Sequence, residues 1–145
     1  MSDDPLYRRE ILRLAADARG AGNLPAPDTS ASVHNPACGD RVTVELTLEQ
    51  GRIAAFAHQT QACILTQASA ALLADIAPGQ DREDMTRLAT AVRGMLAGGP
   101  APAPGYEAFD GVAAHPGRHV CVLLPLDAAI KALEGSEPRG PRTQR

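Results

Sequence analysis

The spacing of apolar residues changes twice along this chain of 145 residues, and this change constrains the fold more than any other feature. From Val42 to Leu48, apolar side chains alternate with polar ones, which is the period of a half-buried strand. Glu49-Gln50-Gly51 then predicts a turn, and Arg52–His58 a returning strand. We therefore predict an antiparallel hairpin in the first half of the chain.

A helical spacing precedes this hairpin. Asp4-Pro5 is a typical helix start, because an acidic cap is followed by proline at the first helical position. The apolar residues that follow repeat on one helical face, which predicts a helix over residues 5–19. Residues 20–36 are rich in glycine and proline, so they predict a loop or an irregular edge strand.

Three more helices are predicted after Cys63, over about residues 64–77, 82–97 and 122–133, from apolar stripes that end at glycine or proline. Pro125 falls in the first turn of the last one, where its missing N–H costs little. The element order predicts an α+β fold, in which a small antiparallel sheet of about three strands is packed by an N-terminal helix and several C-terminal helices.

Length and composition predict one domain over residues 1–136 and a polar, disordered tail over residues 137–145. A net charge of -3 lacks the excess of positive charge that is typical of nucleic-acid-binding proteins. The acidic N-terminus lacks the features of a signal peptide, and no stretch approaches the roughly 20 apolar residues that span a bilayer. We expect a cytoplasmic protein with neither nucleic acid nor membrane as a partner.

Three cysteines stand where predicted elements begin. Cys38 lies in the loop that enters the first clear strand, while Cys63 and Cys121 directly precede the second and last helices. Backbone N–H groups and the helix dipole favour a thiolate at a helix start, which lowers a thiol pKa from roughly 8.5. This placement predicts reactive or metal-binding thiols at Cys63 and Cys121, although the number of cysteines alone favours small buried residues.

Asp40 adds a carboxylate two residues after Cys38, and Gly39 between them permits a tight bend. Three thiolates and one carboxylate supply four ligands, which suits zinc or iron. An Asx-type turn is the alternative for Asp40. His119 precedes Cys121 by two residues, so in an extended segment both would project to one side, and His119 would be an alternative ligand or a proton donor.

Motifs resemble those of a known family. Asn35-Pro36-Ala37-Cys38-Gly39-Asp40 resembles the signature Asn-Pro-x-Cys-Gly-Asp of the IscU/NifU N-terminal family of iron–sulfur cluster assembly scaffolds. Ala62-Cys63-Ile64, followed by Ala68-Ser69-Ala70, resembles the second cysteine segment of that family. The segment from Arg118 to Leu123 resembles the third, and Leu6-Tyr7-Arg8 is similar to the opening of the first helix.

Within this family the chain is most similar to the SufU branch. Arg118 stands three residues before Cys121, as it does in that branch, and Val120 occupies the position where the IscU branch has histidine. The interval between Cys63 and Cys121 is also longer than is usual in the IscU branch.

The resemblance implies a SufE/NifU-like fold and a scaffold that accepts sulfur from a SufS-like cysteine desulfurase. Such a scaffold assembles a [2Fe–2S] cluster and transfers it to downstream iron–sulfur acceptor or carrier proteins. The implied site is shared by zinc or the cluster, with Cys38, Asp40, Cys63 and Cys121 as metal ligands and the three cysteines as cluster ligands. Cys121 or Cys38 is the expected sulfur acceptor, and Arg118 would hold the thiolate or persulfide electrostatically.

Two alternatives stay open. A zinc-dependent, SufU-like sulfurtransferase would accept persulfide sulfur and activate the desulfurase without holding a cluster. A structural zinc module is the other, but structural zinc sites are usually closed by cysteine and histidine, so Asp40 argues against it.

Overall fold

The structure is a computed structural model that describes residues 8–36 and 39–136. Its strands form one antiparallel sheet in the order β1-β2-β3, so the predicted α+β class with a small antiparallel sheet is confirmed. The elements follow along the chain as α1 (Arg9–Asp17), β1 (Thr29–Asn35), β2 (Asp40–Glu49), β3 (Arg52–Gln61), α2 (Ile64–Ile76), α3 (Arg82–Leu96), two 3₁₀ helices (Tyr106–Ala114 and Pro116–Arg118) and α4 (His119–Ser136).

The central strand β2 follows the alternation of its sequence. Val42, Val44 and Leu46 are fully buried, while the residues between them are partly exposed. Gln50 and Gly51 connect β2 to β3 with φ of 54° and 79°. Two residues of positive φ match the right-handed twist of paired strands, which explains why the hairpin closes here. The predicted hairpin is confirmed, with β2 beginning at Asp40 and β3 extending to Gln61.

Part of the segment expected to be a loop or an irregular edge strand is a regular edge strand. β1 pairs with β2 without a break, from Thr29 opposite Leu46 to Asn35 opposite Asp40. Its side chains alternate between half-buried and exposed. This burial pattern is regular even though the strand is mostly polar, because the inward face is covered by α4.

α2 and α3 match their predicted positions closely, whereas α4 begins earlier than expected. α1 is shorter than the predicted helix over residues 5–19, because Arg8 is an extended N-cap and Ala18 is left-handed. α3 starts with a capping box in which Asp81 and Asp84 exchange side-chain and backbone hydrogen bonds. α4 begins at His119 because the 3₁₀ turn at Pro116–Arg118 leads directly into it. Consequently, Cys121 lies inside the first helical turn rather than before the helix, and Pro125 lies beyond that turn, which corrects both expectations.

The sheet and the helices share one hydrophobic core. α4 packs against β1, β2, α2 and α3. The 3₁₀ helix at Tyr106–Ala114, which no apolar period predicted, buries both Tyr106 and Phe109 completely. The expected helix start near Asp4 and the expected tail over residues 137–145 lie outside the described residues. In the part of the chain that the structure describes, no helix is long and apolar enough to cross a membrane.

Candidate metal centre

Three potential ligands meet at one end of the sheet. Asp40 is the first residue of β2, Cys63 is the N-cap of α2, and Cys121 is in the first turn of α4. One carboxylate oxygen and the two Sγ atoms all lie within 4.8 Å of one another. Tetrahedral zinc bonded to sulfur at about 2.3 Å separates its ligand atoms by roughly 3.5 to 3.8 Å. These three residues therefore fit around a single ion after small side-chain movements.

The turn between β1 and β2 brings the Asp40 carboxylate to the site. Gly39 has a φ of 75°, a conformation that favours glycine, and no atom lies within 4 Å of the position a Cβ would take. Glycine is therefore needed for backbone conformation and not for space. The Gly39 N–H donates to the Asn35 carbonyl at 2.8 Å, which closes the turn. Cys38 lies outside the described residues, so its place in the site stays a prediction.

Cys63 is a partly exposed free thiol at the N-cap of α2. A hydrogen bond from the Cys121 thiol lowers the pKa of Cys63 from 9.0 to about 5, against the opposing effect of burial. The Thr66 hydroxyl, at 3.6 Å from the sulfur, and the backbone N–H groups of Thr66 and Leu65 contribute to the lowered pKa. The N–H groups at the start of α2 therefore contribute to the lowered pKa of Cys63, as the position before a helix predicted.

Cys121 behaves in the opposite way. It is a free thiol that is only 3% exposed, and the pKa of Cys121 is raised because it donates a hydrogen bond to Cys63 and is buried. The positive charge of Arg118 partly opposes this increase. The expectation that both thiols would have a lowered pKa is wrong for Cys121, because the first proton to leave comes from Cys63 and the resulting charge retains the second.

His119 does not project to the same side as Cys121, which the role of an alternative ligand or proton donor requires. The segment is helical and not extended, so residues two positions apart do not face the same side. Its Nε2–H donates to the carbonyls of Val112 and Ala113, at 3.1 and 3.2 Å. These contacts join the start of α4 to the 3₁₀ helix at Tyr106–Ala114.

One site residue was not predicted from the sequence. Thr66 is a fully buried polar residue in the first turn of α2, with its hydroxyl 3.6 Å from the Cys63 sulfur. The spacing indicates that Thr66 lies near Cys63, because a residue three positions after an N-cap returns to the same side of the helix. A hydroxyl at that position could not be distinguished from a core-facing threonine without knowing where Cys121 lies.

The end of the central strand and two helix starts bring thiols and a carboxylate together, which defines a small α+β protein with a thiol-rich candidate metal site. The NifU-like N terminal domain family matches residues 6–104, which is more than half of the chain. The chain belongs to this family, and the resemblance found in its motifs is confirmed.

Individual relatives agree with this assignment. The chain is 27% identical over 111 residues to the iron–sulfur cluster assembly scaffold protein IscU of Streptococcus pyogenes serotype M1, covering 74% of this chain and 70% of that protein. It is 25% identical over 138 residues to the zinc-dependent sulfurtransferase SufU of Bacillus subtilis strain 168, covering 92% and 93%. A crystal structure of a nitrogen-fixing NifU-like protein (N-terminal) from Brucella abortus superposes with a TM-score of 0.86 at 33% identity, covering 92% of this chain and 95% of that one.

Proposed function

We propose that this chain accepts sulfur from a cysteine desulfurase and assembles a [2Fe–2S] cluster, which it then transfers to acceptor or carrier proteins. The observation that carries the proposal is the meeting of the Asp40 carboxylate with the sulfurs of Cys63 and Cys121 within 4.8 Å. Membership of the NifU-like family and similarity to an IscU scaffold support it.

Cys38 is proposed as the remaining ligand. Because consecutive Cα atoms are 3.8 Å apart, covalent connectivity keeps the Cα atom of Cys38 within about 7.6 Å of that of Asp40. Thiolates suit both iron–sulfur clusters and zinc, whereas a carboxylate is a harder and weaker ligand for a cluster. A cluster held in part by Asp40 is therefore easier to release, as a protein that donates its cargo requires.

Sulfur acceptance needs only thiol exchange. A thiolate of this chain attacks the outer sulfur of the desulfurase persulfide, and a new S–S bond forms as the old one breaks. The desulfurase cysteine leaves as a thiolate, so this transfer consumes no external oxidant or reductant. Converting each transferred sulfur to the sulfide of a cluster takes two electrons, which ferrous iron and excess cysteine supply. Of the two proposed acceptors, Cys121 is only 3% exposed, which favours Cys38 as the first. Arg118, whose charge already acts on Cys121, is proposed to stabilise the transferred sulfur.

A second candidate function is that of a zinc-dependent sulfurtransferase that activates the desulfurase without holding a cluster. Similarity to SufU over nearly the whole length of both chains favours it, since the match to IscU covers less of either protein. Cys38, Asp40, Cys63 and Cys121 would hold the zinc, which would keep its cysteine ligands in the thiolate form.

An anaerobic assay separates these functions. The protein is mixed with a SufS-type cysteine desulfurase, cysteine and ferrous iron, and the visible spectrum is recorded together with alanine release. Charge-transfer bands that vanish in Cys63→Ala and persist in the surface variant Glu83→Ala establish the scaffold. Faster alanine release without bands, from protein that contains zinc as isolated, establishes the sulfurtransferase.

Absence of both signals would overturn both functions. If that protein still contained zinc, and Cys63→Ala unfolded it, the structural zinc module would be the correct interpretation. Circular dichroism of the same variants distinguishes loss of the fold from loss of function.

A further inference from the structure

Among the described residues, buried polar side chains are few, and two of them lie on α2, the helix whose N-cap is Cys63. Besides the hydroxyl of Tyr106, the buried polar side chains in the described part of the chain are those of His58, Thr66 and Ser69. A buried hydroxyl needs a hydrogen-bond partner. Ser69 has one outside the sulfur pair, because its Oγ donates to the Val122 carbonyl at 2.6 Å.

Thr66 has its partner at the Cys63 sulfur. Its Oγ1 lies 3.6 Å from the Cys63 Sγ, within hydrogen-bond distance of sulfur. Thr66 is the third residue of α2 and Cys63 is its N-cap, so the two side chains meet across the first helical turn. The Thr66 side chain is fully buried, which excludes water as a competitor for this contact.

We propose that Thr66 is a positioning residue of the metal centre, whose buried hydroxyl donates a hydrogen bond to the Cys63 sulfur when that sulfur is a metal ligand. The inference rests on the proposed function insofar as it requires a metal or cluster at this site. No sequence motif assigns Thr66 a role; its contact with the Cys63 sulfur across the first turn of α2 does.

The chemistry gives the hydroxyl a definite effect. A metal-bound thiolate carries no proton, so it can only accept hydrogen bonds, and the threonine hydroxyl has one to donate. Such a bond fixes the sulfur in place and withdraws electron density from it, which raises the energy of sulfur-to-metal charge transfer. Residues that orient metal ligands in this way typically account for a 10- to 100-fold difference in metal affinity.

Cobalt binding to the metal-free full-length protein tests the inference. Co²⁺ is titrated anaerobically into wild type, Thr66→Val, Thr66→Ser and Ser69→Ala, with a competing chelator to obtain Kd. Thr66→Val keeps the branched shape and loses the hydroxyl. We expect its sulfur-to-cobalt charge-transfer band to shift to longer wavelength, and its affinity to fall by about 10- to 100-fold. Thr66→Ser should resemble wild type in both readouts.

Ser69→Ala is the matched control, because it removes a buried hydroxyl from the same helix that does not contact sulfur. It should lower thermal stability without changing the band or the affinity. If Thr66→Val does not fold, Thr66→Ala against Thr66→Ser supplies the same comparison, since both lose the methyl group and only one keeps the hydroxyl.

Each remaining outcome overturns the inference. An unchanged band and Kd in the variant that lacks the hydroxyl would show that Thr66 only fills space. Equal changes in Ser69→Ala would show a general effect of packing. If wild type binds Co²⁺ without any sulfur-to-cobalt band, the proposed metal site itself fails, which distinguishes that failure from an error about Thr66 alone.

Discussion

The lowered pKa of Cys63 predicts an unusual pH dependence of its reactivity in the metal-free protein. With a pKa of about 5 instead of 9.0, Cys63 is already mostly thiolate at about pH 6. Its rate of exchange with a small disulfide should therefore rise by only about 1.1-fold between pH 6 and pH 8, because the thiolate fraction is almost saturated. The same residue in urea-unfolded protein, with its ordinary pKa of 9.0, should accelerate by roughly 90-fold over that interval.

Whether Cys63 reacts faster in the folded or in the unfolded protein should depend on pH. A pKa lower by about four units reduces intrinsic nucleophilicity by roughly 40- to 100-fold. At about pH 6 the gain in thiolate is roughly 900-fold, so folded Cys63 should react about 10- to 20-fold faster before any loss from partial burial. At about pH 8 the gain is only about 11-fold, so folded Cys63 should react more slowly.

The assay is exchange with a small disulfide reagent under anaerobic conditions, with chelator present and the modified peptides resolved by mass spectrometry. Cys121→Ala removes the thiol that contributes most to the low pKa, so its pH 8 to pH 6 rate ratio should move toward the unfolded value. A wild-type ratio near that of the unfolded chain would refute the reasoning, as would a ratio unchanged by Cys121→Ala.

Three further predictions follow from the structure. Tyr106→Phe should raise the free energy of unfolding by about 1 kcal/mol in a urea titration, because the fully buried hydroxyl has no hydrogen-bond partner within the described residues; a decrease would reveal a hidden partner. Asp40→Ala should weaken Co²⁺ binding by about 10-fold or more, with Glu83→Ala unchanged, and equal affinity would exclude Asp40 as a ligand. Burial lowers the pKa of His58 below 6.5, so the unfolded chain takes up a proton first and wild type should lose stability as pH falls through 6.5; a curve of the same shape in His58→Gln would contradict this.

The sheet was predictable because its central strand alternates strictly in polarity. Val42, Val44 and Leu46 are buried on one face, and a slip of one residue would expose all three, so the register follows from the sequence. β1 was less predictable, because its inward face is only half-buried and carries threonine, alanine and valine. Such a strand depends on α4 to cover it, and that contact is not local in sequence.

The site was predictable only through the motifs. Cys63 and Cys121 are separated by two α-helices and two 3₁₀ helices, and spacing alone does not indicate that they meet. The order of their acidities could not be foreseen either. The order depends on Cys63 being the N-cap of α2 and on Cys121 being buried inside the first turn of α4. The position of Cys121 follows from the start of α4 at His119.

The three described ligands come from three separate elements, β2, α2 and α4. Whatever binds all three would act as a crosslink between distant parts of the chain, so loading and folding would be thermodynamically linked. At a free ligand concentration 100 times Kd, this linkage would add about 2.7 kcal/mol to the free energy of unfolding. Delivery of the cargo would thus leave behind a protein that is less stable and more readily degraded by proteases.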